Sequence, residues 1–239
     1  RGISLSGRTA LSANNLAVLL MNMNRPQEAL AELNILINQE PTMAIAYNNR
    51  SKTYLLVRRY KEALADSNKA IAIEPEHFPG FYTCRASIYV ETKKYQQAIA
   101  DAKRAIAIDK KFGPAYYIIA QCSFIQHNYK EAIAYCNQAL LYHPQLMEAC
   151  KTRGQCYQAL GQDEKAMADL ERCNAIKPNA ETYTAHAESA AKQGYYEQAL
   201  DDLSAIRPNQ ANLKKLPDAK DYNKVLALYD KMIEAKSGN

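Results

Sequence analysis

Apolar and small residues recur three and four apart along most of the chain, the spacing that lays one side of an α-helix against a neighbour. Tyr47, Arg50, Ser51 and Tyr54 mark one such face, and Ala63, Ser67 and Ala70 mark the next. Each stripe is broken at regular intervals. Pro41, Pro75, Pro144 and Pro178, with Lys110 in the equivalent place, stand where a helix must stop, because proline lacks an amide hydrogen and clashes with the preceding turn. The pattern predicts pairs of short helices and no strands.

The pairs repeat. Tyr60-Lys61-Glu62-Ala63-Leu64 returns as Tyr95-Gln96-Gln97-Ala98-Ile99, Tyr129-Lys130-Glu131-Ala132-Ile133, Asp163-Glu164-Lys165-Ala166-Met167 and Tyr196-Glu197-Gln198-Ala199-Leu200, and Arg25-Pro26-Gln27-Glu28-Ala29-Leu30 begins the series. The alanines at 29, 63, 98, 132, 166 and 199 lie 34, 35, 34, 34 and 33 residues apart. A period that regular is the mark of a repeat array. A small side chain at this position lets the two helices of a pair approach closely where they cross.

Tyr47, Arg50-Ser51, Tyr54, Tyr60, Ala63, Ala70 and Pro75 form a pattern that resembles the tetratricopeptide repeat, as do Tyr116, Ile119-Ala120, Tyr129, Ala132, Ala139 and Pro144. Gly154, Tyr157, Ala166 and Pro178 resemble its glycine-bearing form. The resemblance implies an all-α fold, a right-handed superhelical solenoid of antiparallel helix pairs whose first helices line a concave face. Trp is absent, so Ala13, Tyr47, Tyr82, Tyr116, Cys150 and Tyr183 occupy the opening slot that the family often gives to it. The expected organisation is an N-terminal extension at 1–9, repeats at 10–43, 44–78, 79–112, 113–146 and 147–179, and a short sixth repeat at 180–208. A polar connector at 209–217 follows, and then an amphipathic helix with its tail at 218–239, expected either as a closing cap or as the first helix of a seventh repeat. One extra residue around His77-Phe78 predicts a local change of superhelical pitch.

Composition narrows the function. Net charge is +5, too small for a nucleic-acid footprint without clustering. Residues 44–111 hold 13 basic and 7 acidic residues, but Arg58-Arg59, Lys93-Lys94 and Lys110-Lys111 fall in turns, where doublets are usually solvated; nucleic acid is therefore disfavoured as a partner. No stretch is apolar enough to span a bilayer. Six Cys without a C-x-x-C pair suit a reducing, cytoplasmic setting. No cofactor, metal site or catalytic group is expected: His127 and His143 fall in turns, and His186 and Cys122, Cys136, Cys156 and Cys173 fall on inward stripes. Glu62, Asp66 and Asp101 read as a solvated outer face. Cys84 alone among the thiols has the phase of the open face. Gly161 and Gly194 sit between paired helices, where a left-handed helix end needs glycine.

Phasing the first helices as the family implies puts Asn14, Asn15, Val18 and Asn22 on the open face, then Ile45, Asn48, Asn49, Lys52 and Leu56, then Gly80, Thr83, Cys84, Ser87 and Glu91. Tyr117, Ile118, Gln121 and Phe124 follow, then Glu148, Lys151, Thr152 and Gln155, and finally Glu181, Thr184, Glu188 and Lys192. The expected partner-binding residues are Asn14, Asn15, Asn48, Asn49, Lys52, Tyr117, Gln121, Lys151 and Gln155. Asparagine donates and accepts at once, as an extended peptide backbone requires. Tyr47-Asn48-Asn49-Arg50-Ser51 also resembles the middle unit of the clamp that family members use for chaperone tails. Asn14 and Val18 stand where that clamp has Lys and Asn, and Gly80 and Cys84 where it has Lys and Arg, so the cations for a carboxylate are missing. The expected role is a non-catalytic module holding a peptide or helix of another protein, with no small-molecule substrate. Alternatives are a substrate-recruiting or regulatory arm of a larger enzyme, a chaperone-tail-binding co-chaperone, and a homo-oligomer formed through the terminal repeats.

Overall fold

A computed structural model describes residues 10–176 and 180–206, together with Lys231. The expected extension at 1–9, Pro178, the end of the sixth repeat at 207–208, the connector at 209–217 and the closing helix at 218–239, apart from Lys231, lie outside the described residues. Twelve α-helices are found among the described residues: α1 (Ala10–Asn22), α2 (Pro26–Gln39), α3 (Ala44–Leu56), α4 (Tyr60–Ile73), α5 (Pro79–Glu91), α6 (Tyr95–Ile108), α7 (Gly113–Ile125), α8 (Tyr129–Tyr142), α9 (Met147–Ala159), α10 (Asp163–Ile176), α11 (Ala180–Lys192) and α12 (Tyr196–Ile206). They fall into two compact units, the first ending at Cys122 within α7.

In the first unit α1 packs on α2, α3 on α4 and α5 on α6, and each pair packs on the next through α2 with α3 and α4 with α5. The second unit repeats the scheme with α8 on α9, α9 on α10, α10 on α11 and α11 on α12. The alanines at the crossings, Ala29, Ala63, Ala98, Ala132, Ala166 and Ala199, are all fully buried. Ser51 shows how close the approach is: its hydroxyl donates to the Ala63 carbonyl at 2.7 Å and sits 2.6 Å from Ser67 Oγ. Gly154 serves the same need in the second unit, where a Cβ would come within 3.2 Å of Leu170 Cγ.

The turn inside each pair has one construction. The residue after the cap takes positive φ at Asn24, Arg58, Lys93 and His127 as well as at Gly161 and Gly194. The next amide then reaches back five residues, as in Arg59 N to Tyr54 O at 2.8 Å and Gln162 N to Tyr157 O at 2.9 Å, which ties off a carbonyl the helix end leaves open. The left-handed conformation expected at the two glycines therefore recurs at four residues that carry a Cβ. The extra residue near His77 is absorbed in the loop after α4, where the Phe78 ring lies edge-on to Phe81, 5.1 Å between centroids, and covers Gly80.

Candidate functional site

The charged residues fall into two groups, one consumed by the fold and one left available. Arg50 on α3 forks onto Asp66 of α4, Nε to Oδ2 at 2.6 Å and Nη2 to Oδ1 at 2.8 Å, and its Nη1 donates to Asn34 of α2 at 2.8 Å. Arg85 on α5 repeats this with Asp101 of α6, both bonds 2.7 Å, and Asn68 of α4 at 2.8 Å. In the second unit Arg153 on α9 does so with Asp169 of α10, Nε to Oδ2 at 2.7 Å, and with Asn137 of α8. Hydrogen bonding to the carboxylate raises each guanidinium above its ordinary value despite the opposing effect of burial. Each fork ties both helices of a pair to the second helix of the pair before it. The guanidinium of Arg50 also lies near the rings of Tyr47 and Tyr54, and that of Arg85 near Tyr82 and Tyr89. These contacts give tyrosine a use in the slot where the family often has tryptophan.

Two expectations are corrected by this seam. Asp66 and Asp101 are buried, not solvated, because they sit at the crossing beneath Arg50 and Arg85; Glu62 is only partly exposed and pairs with Arg59 at 2.7 Å. Cys84 is buried too, since α5 packs on α3 and α4 at that phase. Its thiol donates to Ser51 Oγ at 3.4 Å and accepts from Ser67 Oγ at 3.6 Å. Burial raises the Cys84 thiol, with the two serine hydroxyls acting in the opposite sense, so it is no reactive nucleophile.

The same packing withdraws three of the expected open-face asparagines. First helices of successive pairs touch, α1 with α3 and α3 with α5, and residues of that phase are sealed in the seam. Asn14 and Asn49 are buried and bonded to each other, Asn49 Nδ2 to Asn14 Oδ1 at 2.8 Å, while Asn48 is fully buried with both side-chain polar atoms unpaired. Thr83, Ile118, Thr152 and Thr184 are buried as well. Asn15 and Lys52 are exposed, Tyr117 and Gln121 half-buried. In the second unit Lys151 and Gln155 are half-buried on α9.

What remains open in the first unit is a depression of about 670 Å³ along the C-terminal turns of the first helices. Lys52 on α3 with Tyr117 and Gln121 on α7, all expected site residues, line it together. Asn22, Leu56, Ser87 and Glu91 line it as their phase implied. Met21, Leu55, Arg58, Tyr60 and Val90 complete the wall and were not expected there. Arg58 reads in sequence as half of a solvated turn doublet; it lines the wall instead, from a turn position where φ is 60°. The signal that could have found it is the one that places Gly161 and Gly194, carried back by three and four repeats.

Among the described residues no three His, Cys, Asp or Glu side chains gather as metal ligands, and no helix is long and apolar enough to cross a membrane. Stacked helical hairpins with an open face along their first helices define a helical-repeat protein. Models of the tetratricopeptide repeat match residues 9–33, 44–77, 85–150 and 119–193, and the chain belongs to the tetratricopeptide repeat family. Tetratricopeptide repeats are in general non-catalytic scaffolds for protein–protein interaction.

The fold is similar to that of a tetratricopeptide repeat protein from Parabacteroides merdae, with 21% identity, 95% of this chain and 86% of that one covered, and a TM-score of 0.68. PilW, a widely conserved type IV pilus biogenesis factor, is 18% identical with 92% and 99% covered and a TM-score of 0.74. A chain of the APC/C hetero-tetramer Cut9–Hcn1 is 12% identical with 95% and 44% covered and a TM-score of 0.79. At these identities the likeness is one of fold: all-α, of the superhelical tetratricopeptide type. No curated protein sequence matches the chain.

Proposed function

We propose that the chain is a non-catalytic docking module that holds a peptide or helix of another protein in the depression on the first unit. The observation that carries this reading is the lining itself. Leu56 keeps 61% of its surface exposed at the rim, beside Leu55, Tyr60 and Tyr117, and polar Lys52, Ser87 and Gln121 are interspersed among them. A concave apolar surface with a few convergent polar groups is what a guest chain needs to bury side chains and fix its register. The open positions are Lys52, Tyr117 and Gln121, with Asn15 beside them in sequence phase on α1; Asn14, Asn48 and Asn49 act through packing. The free thiols of Cys84, Cys122, Cys136, Cys150, Cys156 and Cys173, all buried, support a reducing compartment such as the cytosol.

The test uses a displayed library of short random peptides selected on the full chain. Leu56→Ser with Tyr117→Ala should weaken the selected peptides at least about tenfold, a loss of about 1.4 kcal/mol. Helical content should be unchanged. Peptides that bind the double variant as tightly as the parent would remove the groove reading.

A further inference from the structure

Arginines among the described residues of the first unit are almost all spoken for. Arg25 pairs with Glu28, Arg50 with Asp66, Arg59 with Glu62, Arg85 with Asp101 and Arg104 with Glu76. Among the described arginines of that unit, Arg58 is the one without a carboxylate, and it lies in the wall of the depression. Lys52, one and a half turns earlier on α3, is exposed in the same wall and likewise has no anion within ion-pair reach among the described residues.

Arg58 also holds a left-handed backbone, φ 60°, at a position where the second unit has Gly161 and Gly194. Glycine would adopt that conformation without strain, whereas a residue with a Cβ pays for it; Asn24, Lys93 and His127 pay it at the equivalent turns as well, and of these residues Arg58 is the one that lines this depression. The charged lining is completed by Glu91, which Tyr60 Oη approaches at 3.5 Å, so cations outnumber the anion two to one. Around them stand Leu55, Leu56 and Tyr117.

Resting on the groove reading above, we propose that the depression selects a partner segment in which a bulky apolar side chain neighbours a carboxylate. The apolar group enters among Leu55, Leu56 and Tyr117, and the Asp or Glu of the partner meets Lys52 and Arg58. A guanidinium and an ammonium in one wall attract a carboxylate before contact and fix its register on arrival. A basic segment would leave these cations facing like charge, which disfavours it.

The probe is the same displayed random library. Peptides enriched on the parent chain should carry Asp or Glu within one helical turn of Leu, Ile, Met or Phe. Lys52→Gln with Arg58→Gln should weaken the best synthetic peptide about tenfold, and changing its acidic residues to amides should cost a similar factor. The two losses should not add when combined, as expected of partners in one contact. Binding should also weaken as salt rises. Enriched peptides that need Leu56 and Tyr117 but show no acidic preference, or tolerate the glutamine pair, overturn this proposal and leave the groove reading intact. Peptides indifferent to both sets of variants, or failure to enrich any peptide, remove both.

Discussion

The two units use the same seam but finish their turns differently. Arg85–Asp101–Asn68 in the first and Arg153–Asp169–Asn137 in the second are the same fork on equivalent helices, with the arginine and aspartate 16 residues apart in each. His186 and Asp202 on α11 and α12 keep that spacing with imidazole in place of guanidinium. At the left-handed turn position, by contrast, the first unit has Asn24, Arg58 and Lys93, whereas the second has His127 and then two glycines. A seam that only has to hold helices together tolerates little change of chemistry. A turn that points into solvent or into a groove can trade backbone ease for a charge, and in the first unit Arg58 places that charge in the wall of the depression.

The sameness is broken most severely at the forks. Asp101→Ala and Asp169→Ala each leave a mostly buried guanidinium without its carboxylate; the paired side chains keep 20% or less of their surface exposed. Each should lower stability by about 2–3 kcal/mol, somewhat less than a wholly enclosed pair would lose, and to a similar extent in both units by urea denaturation. A large loss in one unit alone would contradict the equivalence. The contrast at the turns is smaller. Lys93→Gly should raise stability by about 0.5–1 kcal/mol and Gly161→Lys should lower it by a similar amount, because only the backbone strain is exchanged. Equal effects of one sign would show that the turn conformation does not govern.

The gentlest probe is alkaline pH. Burial raises Cys122 in the first unit and Cys156 in the second from 9.0 to about 11. In the unfolded chain these thiols ionise near the ordinary value while in the folded chain they stay protonated. The stability they contribute is therefore fully present below pH 9 and is lost as pH rises from 9 toward 11. Thermal unfolding followed across that range should show a modest decline, reduced in Cys122→Ala and Cys156→Ala; an unchanged slope in both would place the thiols in contact with solvent.

Much of the array is legible in the chain because it is periodic. Ala63 and its equivalents announce the crossings, Pro41, Pro75 and Pro144 announce helix ends, and the resulting pairs are found where the pattern puts them. The site is less legible, since helical phase gives a direction from the axis but not whether another helix already stands there. Asn48 and Asn49 have the phase of an open face and are covered by neighbouring first helices; Lys52, one turn on, is not. Asp66 and Asp101 look like surface carboxylates until Arg50 and Arg85, distant by 16 residues, are seen to reach them. Arg58 escapes a helical-phase argument altogether, because it enters the wall from a turn.

Amide hydrogen exchange on the full chain, with and without a peptide selected from the random library, bears most directly on the docking role. Added protection should appear over residues 52–60, 87–91 and 117–121, the segments that surround the depression. Protection confined to α2, α4 and α6, the second helices of the pairs, would contradict it.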